Sequence, residues 1–265
     1  MFTAHGILDA KESEHCSDIA NEVLVEGSCT KLKTYRGTDV GDAPVLVVAL
    51  HGDAPFNNPS YQYEFAERIA AEAGNVISIG LLRPGYTDGQ DRQSDGIRRL
   101  TVGDNYDTPR ILQIANAIAH LKKHYNASKV ILAGHSGGSA ITAKIIAIYP
   151  NLVDHAFIVS CPCNINDWRA DMFETSDYDG FKGDIDVESP DALIANIPPE
   201  TGITIFIGDS DPVTRKYLSD NYVNALSRAG KKADYHIIEG NHAIFLNDMV
   251  IRAVLEKAKA YSAQE

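Results

Sequence analysis

Short, continuously apolar runs alternate with amphipathic stretches over most of this chain, and that alternation restricts its possible folds more than any other feature. Val45–Leu50 is apolar at all six positions, which is typical of a strand buried on both faces. Residues 106–125 carry their apolar side chains at helical spacing, which indicates an amphipathic helix. A chain that alternates strand and helix in this way forms a largely parallel sheet covered by helices on both faces.

The pattern predicts an α/β fold, a three-layer α/β/α sandwich with a mixed sheet. A turn at Glu26-Gly27 joins the first two strands, which indicates an antiparallel hairpin at the amino-terminal end of the chain. The later strands are separated by helices and are expected to be parallel. We predict strands at residues 21–25, 31–35, 45–50, 76–79, 129–133, 156–160, 203–207 and 235–238. We predict helices at 61–73, 106–125, 137–149 and 215–229, and a last helix within 242–261.

Composition and charge exclude several classes of function. The 265 residues contain no repeat or linker, so we predict one domain over residues 1–265. The formal net charge of −12 repels phosphate backbones and anionic lipids, so neither nucleic acid nor a membrane is an expected partner. No apolar run approaches the roughly 18 residues that span a bilayer. The first residues lack a targeting signal, which predicts a cytoplasmic protein; a mature secreted form is left open.

The four cysteines are too few for a disulfide scaffold and contain no CxxC pair. Free thiols are therefore the expectation. A disulfide between Cys16 and Cys29 is the alternative. Cys161 and Cys163 follow a predicted strand, where a packing role is favoured over a redox role.

The strongest local motif is Gly134-His135-Ser136-Gly137-Gly138, which matches G-x-S-x-G between a buried strand and a helix. A serine in such a sharp turn projects its hydroxyl above the sheet. Gly134 and Gly138 remove Cβ atoms that would collide with the neighbouring strand and helix. We therefore predict Ser136 as a nucleophile, which needs a base and an orienting carboxylate.

Candidates for the acid and the base follow the last two predicted strands. Asp211 lies beyond the strand at 203–207, and Pro212 fixes the chain just after it. Asp209 is closer to the strand and is the competing carboxylate. His242 lies in a glycine-containing loop after the strand at 235–238 and is the predicted base, since most of the other histidines fall in or beside helices and strands.

Acyl transfer by such a serine creates an oxyanion that needs preorganised N–H donors. We predict the main-chain amides of Gly137 and Asp53, with the Asp53 side chain directed elsewhere. The alternative is that His51-Gly52 forms only a turn. Together these motifs resemble the α/β-hydrolase superfamily, over a region from about Val45 to the carboxyl terminus.

The resemblance implies an eight-stranded, mostly parallel sheet and hydrolysis through an acyl-enzyme. It also places a cap insertion between the sixth and seventh strands, here the short interval at about 164–201. That interval is acidic, and a solvated face is the simple explanation; the alternative is that it disfavours anionic acyl groups. The predicted substrate contacts are Gly52, His135, Cys161 and Trp168.

The predicted function is hydrolysis of small or medium carboxylic esters, with a small-molecule acyl substrate as the partner. A peptidase, an amidase or a C–C bond hydrolase with the same triad is an alternative, as is a non-catalytic ligand receptor. The motifs imply no metal ion and no organic cofactor. The oligomeric state is not predicted.

Overall fold

A computed structural model describes residues 16–263, and eight strands in that range form one sheet. The strands are β1 Glu22–Val25, β2 Ser28–Arg36, β3 Val45–Leu50, β4 Val76–Leu81, β5 Lys129–His135, β6 His155–Val159, β7 Gly202–Gly208 and β8 Asp234–Ile238. The helices are α1 Tyr61–Glu72, α2 Thr108–His124, α3 Gly137–Ile148, α4 Ile165–Ser176, α5 Lys216–Arg228 and α6 Asp248–Ser262.

The strand order across the sheet is β1-β2-β4-β3-β5-β6-β7-β8. β2 pairs antiparallel with β1 and with β4, whereas every pair from β4 through β8 is parallel. This arrangement confirms the predicted mixed, mostly parallel sheet of eight strands. The carboxyl ends of the six parallel strands therefore lie along a single edge.

The alternation of side chains along β3 explains why the whole strand is apolar. Leu46, Val48 and Leu50 point into a core shared with α2, α3 and α5. The intervening residues of β3 point into a second core shared with α1 and α6. Helices thus cover both faces, which confirms the three-layer sandwich.

The insertion between β6 and β7 contains α4 and two short 3₁₀ turns, Asp179–Phe181 and Pro190–Asn196. Trp168 and Phe181 pack with Val102 and Leu218 in a small separate cluster. The guanidinium of Arg169 donates hydrogen bonds to main-chain carbonyls on both sides of this cluster. These contacts hold the insertion against the loop that precedes α2.

The last helix lies where the sequence predicts it, and His242 lies in the loop ahead of it. The helix begins at Asp248, because the Asn247 side chain accepts a hydrogen bond from the Met249 amide and starts the helix there. The expectation of free thiols is wrong, because Cys16–Cys29 and Cys161–Cys163 both form disulfides, with Cα atoms 5.9 Å and 5.1 Å apart. The first of these is the alternative that the sequence left open.

The targeting expectation depends partly on residues 1–15, which lie outside the described residues. Among residues 16–263, no helix combines the length and the apolar character that a membrane crossing requires.

Candidate active site

The loops that follow β3, β4, β5, β7 and β8 meet at the carboxyl edge of the sheet, as predicted. The Arg83 amide after β4 donates to His51 Nε2 after β3, over 3.0 Å. The loops after β7 and β8 are joined by the contact between Asp211 and His242. The sheet therefore brings distant parts of the chain to one place, where ligands bind in open α/β sheets.

Ser136 occupies a strained turn between β5 and α3. Its φ is +52° and its ψ is −123°, a combination that costs on the order of 1–3 kcal/mol in a residue with a side chain. The Ser136 amide donates to the Val159 carbonyl, and its own carbonyl accepts from the Ser139 and Ala140 amides. These bonds hold the turn in place. Ser136 is the residue before the first turn of α3, at the positive end of the helix dipole, and is 7% exposed.

Asp211 and His242 form a direct contact at the ends of β7 and β8. His242 Nδ1 lies 2.9 Å from Asp211 Oδ2 and 3.1 Å from Oδ1. The hydroxyl of Thr214 also donates to Oδ2 over 2.7 Å, and the Val213 and Thr214 amides donate to Oδ1. Burial opposes ionisation of Asp211, but its hydrogen bonds with His242 and Thr214 outweigh that effect and lower its pKa. Asp211 is therefore a buried carboxylate that can orient an imidazole.

The competing carboxylate, Asp209, makes a different contact. Asp209 Oδ1 accepts a hydrogen bond from the Gly240 amide over 3.1 Å, and the residue is exposed. It therefore closes the turn between the two loops, while Asp211 contacts His242.

The structure places Ser136 and His242 on neighbouring loops, but no hydrogen bond joins the Ser136 hydroxyl to His242 among the residues described. The ring of His135, next to Ser136 in the chain, lies 4.9 Å from the ring of His242, centroid to centroid. Catalytic hydrogen bonds are often long in a free enzyme and tighten when substrate binds. The complete triad stays a prediction.

The two amides predicted as oxyanion donors, those of Asp53 and Gly137, donate no hydrogen bond to any group in residues 16–263. The Gly52–Asp53 peptide is held from its other side, because His51 Nδ1 lies 2.7 Å from the Gly52 carbonyl oxygen. Since a trans peptide directs its N–H away from its C=O, this contact also fixes the direction of the Asp53 amide. A Cβ atom on Gly52 would lie 2.7 Å from the Ser136 Cβ, so only glycine permits this approach.

The Asp53 carboxylate belongs to a buried polar cluster that sequence analysis missed. Tyr86 donates to Asp53 Oδ1 over 3.1 Å, Tyr106 donates to Oδ2, and Arg83 Nη2 lies 3.0 Å from Oδ1. Burial opposes the charge of Arg83, but the surrounding Tyr86 and Asp53 outweigh it and raise its pKa. Arg83 therefore compensates the charge of the Asp53 carboxylate. Asp53 Oδ1 would lie 2.8 Å from a Cβ atom on Gly137, so this side chain lies against Gly137, which corrects the expectation that it is directed elsewhere.

A hydrogen-bonded bridge through Tyr61 and His135 joins three of the loops. Tyr61 accepts from the Gly52 amide over 2.5 Å, and its oxygen lies 2.8 Å from His135 Nδ1. His135 Nε2 lies 2.8 Å from the His242 carbonyl oxygen. Because a carbonyl only accepts, His135 carries its proton on Nε2 and accepts from Tyr61 at Nδ1. Burial, followed by the nearby His242, lowers the pKa of His135 to about 3, which keeps this ring neutral.

The four predicted substrate contacts differ in their surroundings. Gly52 lies against Ser136, whereas His135 uses both ring nitrogens within the protein. Cys161 is fully buried in its disulfide. Trp168 is 4% exposed and donates from Nε1 to the Val213 carbonyl, which connects the insertion to the Asp211 loop. Substrate contact by these residues stays a prediction.

Among residues 16–263, one group of three potential metal ligands has its donor atoms close enough together to share an ion: Cys16, Glu22 and Cys29. The two sulfurs are bonded to each other and are not available as thiolates. This group therefore lacks the three ligand atoms that a metal site at this position would need.

Solved structures of hydrolases superpose on this chain, although no protein-family model and no curated protein matches its sequence. The esterase Pf2001 of Pyrococcus furiosus has a TM-score of 0.63 at 16% identity and covers 90% of each chain. Est1E of Butyrivibrio proteoclasticus, solved with ferulic acid, has a TM-score of 0.62 at 16% identity, over 92% of this chain and 98% of that one. The acylaminoacyl peptidase of Pyrococcus horikoshii has a TM-score of 0.62 at 13% identity, over 91% of this chain and 40% of that one.

These likenesses and the strand order define the class of fold. The chain has the α/β-hydrolase fold, with the eight-stranded, mostly parallel sheet and the insertion between the sixth and seventh strands that the resemblance implied.

Proposed function

We propose that this protein is a serine hydrolase that cleaves carboxylic esters through an acyl-enzyme, with Ser136, His242 and Asp211 as its triad. The observation that carries the proposal is the buried Asp211 carboxylate paired with His242 beside a serine in a strained strand-to-helix turn. The same three residue types in this chain order are characteristic of the fold.

In this mechanism the Ser136 hydroxyl oxygen attacks the ester carbonyl carbon while His242 Nε2 takes its proton. The resulting oxyanion accepts hydrogen bonds from the Asp53 and Gly137 amides, whose donors are free of other partners in the described chain. Collapse of the intermediate expels the alcohol, which receives the proton from His242. Water then attacks the acyl-enzyme by the same route and releases the acid. Asp211 stabilises the imidazolium at each transfer.

Ester cleavage is favoured over amide cleavage within this proposal, because esters need less assistance for the leaving group. Among the solved structures described above, Pf2001 is named an esterase, which supports the same choice. The acylaminoacyl peptidase contains a further region absent from this alignment, since only 40% of it is covered.

The test is turnover of p-nitrophenyl acetate by the full chain and by two serine variants. Ser136→Ala is expected to lower kcat to the background rate and to prevent labelling by a fluorophosphonate. Ser227→Ala, at an exposed position on α5, is the matched control and is expected to retain full activity. Equal turnover by all three proteins would overturn the proposal.

A further inference from the structure

An apolar cavity opens beside residues 51–56 after β3, here called the oxyanion loop, and lies between that loop, residues 98–102 and the insertion. Its volume is about 490 Å³, within the usual range for small-molecule sites. Three aromatic side chains and three aliphatic or thioether side chains dominate its lining: Phe56, Tyr178, Phe181, Leu100, Val102 and Met172. The cavity is therefore shaped for an apolar group.

The rim of this cavity is unusually apolar for a solvent-facing surface. Phe56 is 99% exposed, Leu100 64% and Tyr178 50%. These three account for much of the large apolar surface that the described residues expose, and they lie together at one mouth. A cluster of exposed apolar side chains around a concavity is characteristic of a ligand site, because it leaves water in contact with surface that a ligand would cover.

The floor of the cavity is buried, whereas its rim is exposed. Val102 and Phe181 pack against Trp168 in the cluster at the base of the insertion. Arg98, also in the lining, donates to the Ala54 carbonyl over 3.0 Å and lies over the Tyr86 ring. Arg99, the other cation of the lining, lies 3.5 Å from the Asp107 carboxylate. Both guanidinium groups therefore have contacts within the protein, and the apolar side chains that dominate the lining favour an uncharged apolar group.

The position of the cavity shows which half of an ester it would receive. Pro55 lines it, two residues after Asp53, so its Cα is within about 8 Å of the Asp53 Cα. No residue of the Asp211 or His242 loops contributes to the lining. His242 delivers its proton to the departing alcohol, so that alcohol leaves on the His242 side. The oxyanion-loop side is left for the acyl group.

We propose that this cavity, here named the aryl pocket, binds the acyl part of esters whose acyl group ends in an uncharged aromatic ring. The inference rests on the proposed function. Phe56, Tyr178 and Phe181 would surround the ring, and burial of a phenyl group outside water supplies the preference. A second cavity of about 520 Å³ includes His155 and Gly202, at the opposite edge of the sheet, and is too far from Ser136 to serve this reaction.

The test compares p-nitrophenyl esters with one leaving group and three acyl groups: acetate, butyrate and 3-phenylpropanoate. The unmodified protein is expected to give kcat/KM for the phenylpropanoate at least about tenfold above that for butyrate. Phe56→Ala removes one wall at a fully exposed position, and Met172→Trp fills the cavity. Each is expected to reduce the phenylpropanoate preference about tenfold and to change acetate turnover less than twofold.

The matched controls are Ile237→Ala and Met249→Trp, which make the same kinds of change at half-exposed positions outside the cavity. Both are expected to retain the preference. Ester turnover without an aromatic preference, or equal losses on all three esters in the pocket variants, would overturn the aryl pocket alone. Absence of all turnover that depends on Ser136 would instead overturn the proposed function.

Discussion

The Nε2 atom of His135 lies 2.8 Å from the main-chain carbonyl oxygen of His242, so the residue before the proposed nucleophile supports the loop of the proposed base. This contact fixes the position of the His242 backbone, while Asp211 fixes its ring. Through Tyr61, the same His135 ring is also connected to the Gly52 amide. The site is thus a set of loops joined by buried hydrogen bonds, and each bond predicts a consequence.

Replacing Tyr61 by Phe should lower kcat with little effect on KM. The change leaves the Gly52 amide without its acceptor and His135 Nδ1 without its donor, which loosens the peptide that carries the Asp53 amide. Direct removal of an oxyanion donor costs about 10²–10³ in kcat, and we expect about tenfold for this indirect effect. Steady-state kinetics with p-nitrophenyl acetate measures both constants.

The matched control is Tyr63→Phe on the same helix. Its hydroxyl donates to Asp88 over 2.9 Å, away from the site. This variant is expected to retain kcat. A positioning role for Tyr61 would be contradicted by equal kcat in the two variants.

Replacing Asp211 by Asn should lower kcat by about 10⁴. The amide can donate to His242 Nδ1, which would leave the imidazole in the wrong tautomer to accept a proton from Ser136. Asp209→Asn keeps an acceptor oxygen for the Gly240 amide and is expected to cost less than tenfold. Measuring kcat for both variants with p-nitrophenyl acetate decides which carboxylate orients His242. A larger loss from Asp209→Asn would reverse the assignment.

The fold was predictable because the apolar pattern that marks a buried strand is contained within the residues of the strand itself. Val45–Leu50 has no polar residue, and the structure buries its two faces in separate cores. The alternation of strands and helices along the chain is then compatible with only a few sheet topologies. The placement of Asp211 and His242 after consecutive strands was predictable for the same reason, since the sheet brings the ends of neighbouring parallel strands together.

The bridge and the Cys161–Cys163 disulfide were not predictable from local pattern. Tyr61 meets His135 across 74 residues of sequence, and a tyrosine at the start of a helix gives no signal of that contact. Cys161 and Cys163 show the chemistry for a disulfide but not the backbone bend that brings them together. The start of α6 within the predicted stretch 242–261 is set by Asn247, whose side chain caps the helix.

Acidification should destabilise the protein through its buried histidines. Burial, followed by the charge of Lys257, lowers the pKa of His155 to about 3, and His135 has a similarly low pKa. The unfolded chain takes up these protons near pH 6.5, whereas the folded chain does not, so their stabilisation is complete above pH 6.5 and is lost towards pH 3. At pH 5 the loss is about 2 kcal/mol for each histidine.

Urea unfolding at pH 7 and pH 5 measures this difference in the free energy of unfolding. His155→Asn should remove about half of the loss, because its ring contacts Thr204 and takes no part in the site. His120→Asn, at an exposed position on α2, should leave the full loss. An identical pH response in all three proteins would contradict the assignment.

The acidic insertion should disfavour substrates that carry a negative charge. Asp171 and Glu174 are paired with Arg215, but Asp177, Asp179 and most other acids of the insertion have no such partner within the described chain. We expect a carboxylate-bearing acyl ester to react at least about threefold more slowly than its neutral isostere at low salt, with the difference shrinking as salt screens the charges. If the charged and neutral esters react at equal rates at both 10 mM and 500 mM salt, this explanation is wrong and the acidic residues form only a solvated face.

The two disulfides should differ in what they contribute to stability, because they close loops of different length. Cys16 and Cys29 are 13 residues apart, and closing such a loop stabilises by about 3 kcal/mol in the chain-entropy model. Cys161 and Cys163 are two residues apart, which gives about 1.5 kcal/mol in the same model. The double variant Cys16→Ala, Cys29→Ala should therefore lose about 3 kcal/mol of unfolding free energy in oxidising buffer and retain full kcat. Adding a reductant should cost that variant about 1.5 kcal/mol more, and a loss above 3 kcal/mol at this step would show that Cys161–Cys163 supports the buried base of the insertion beyond closing its own short loop.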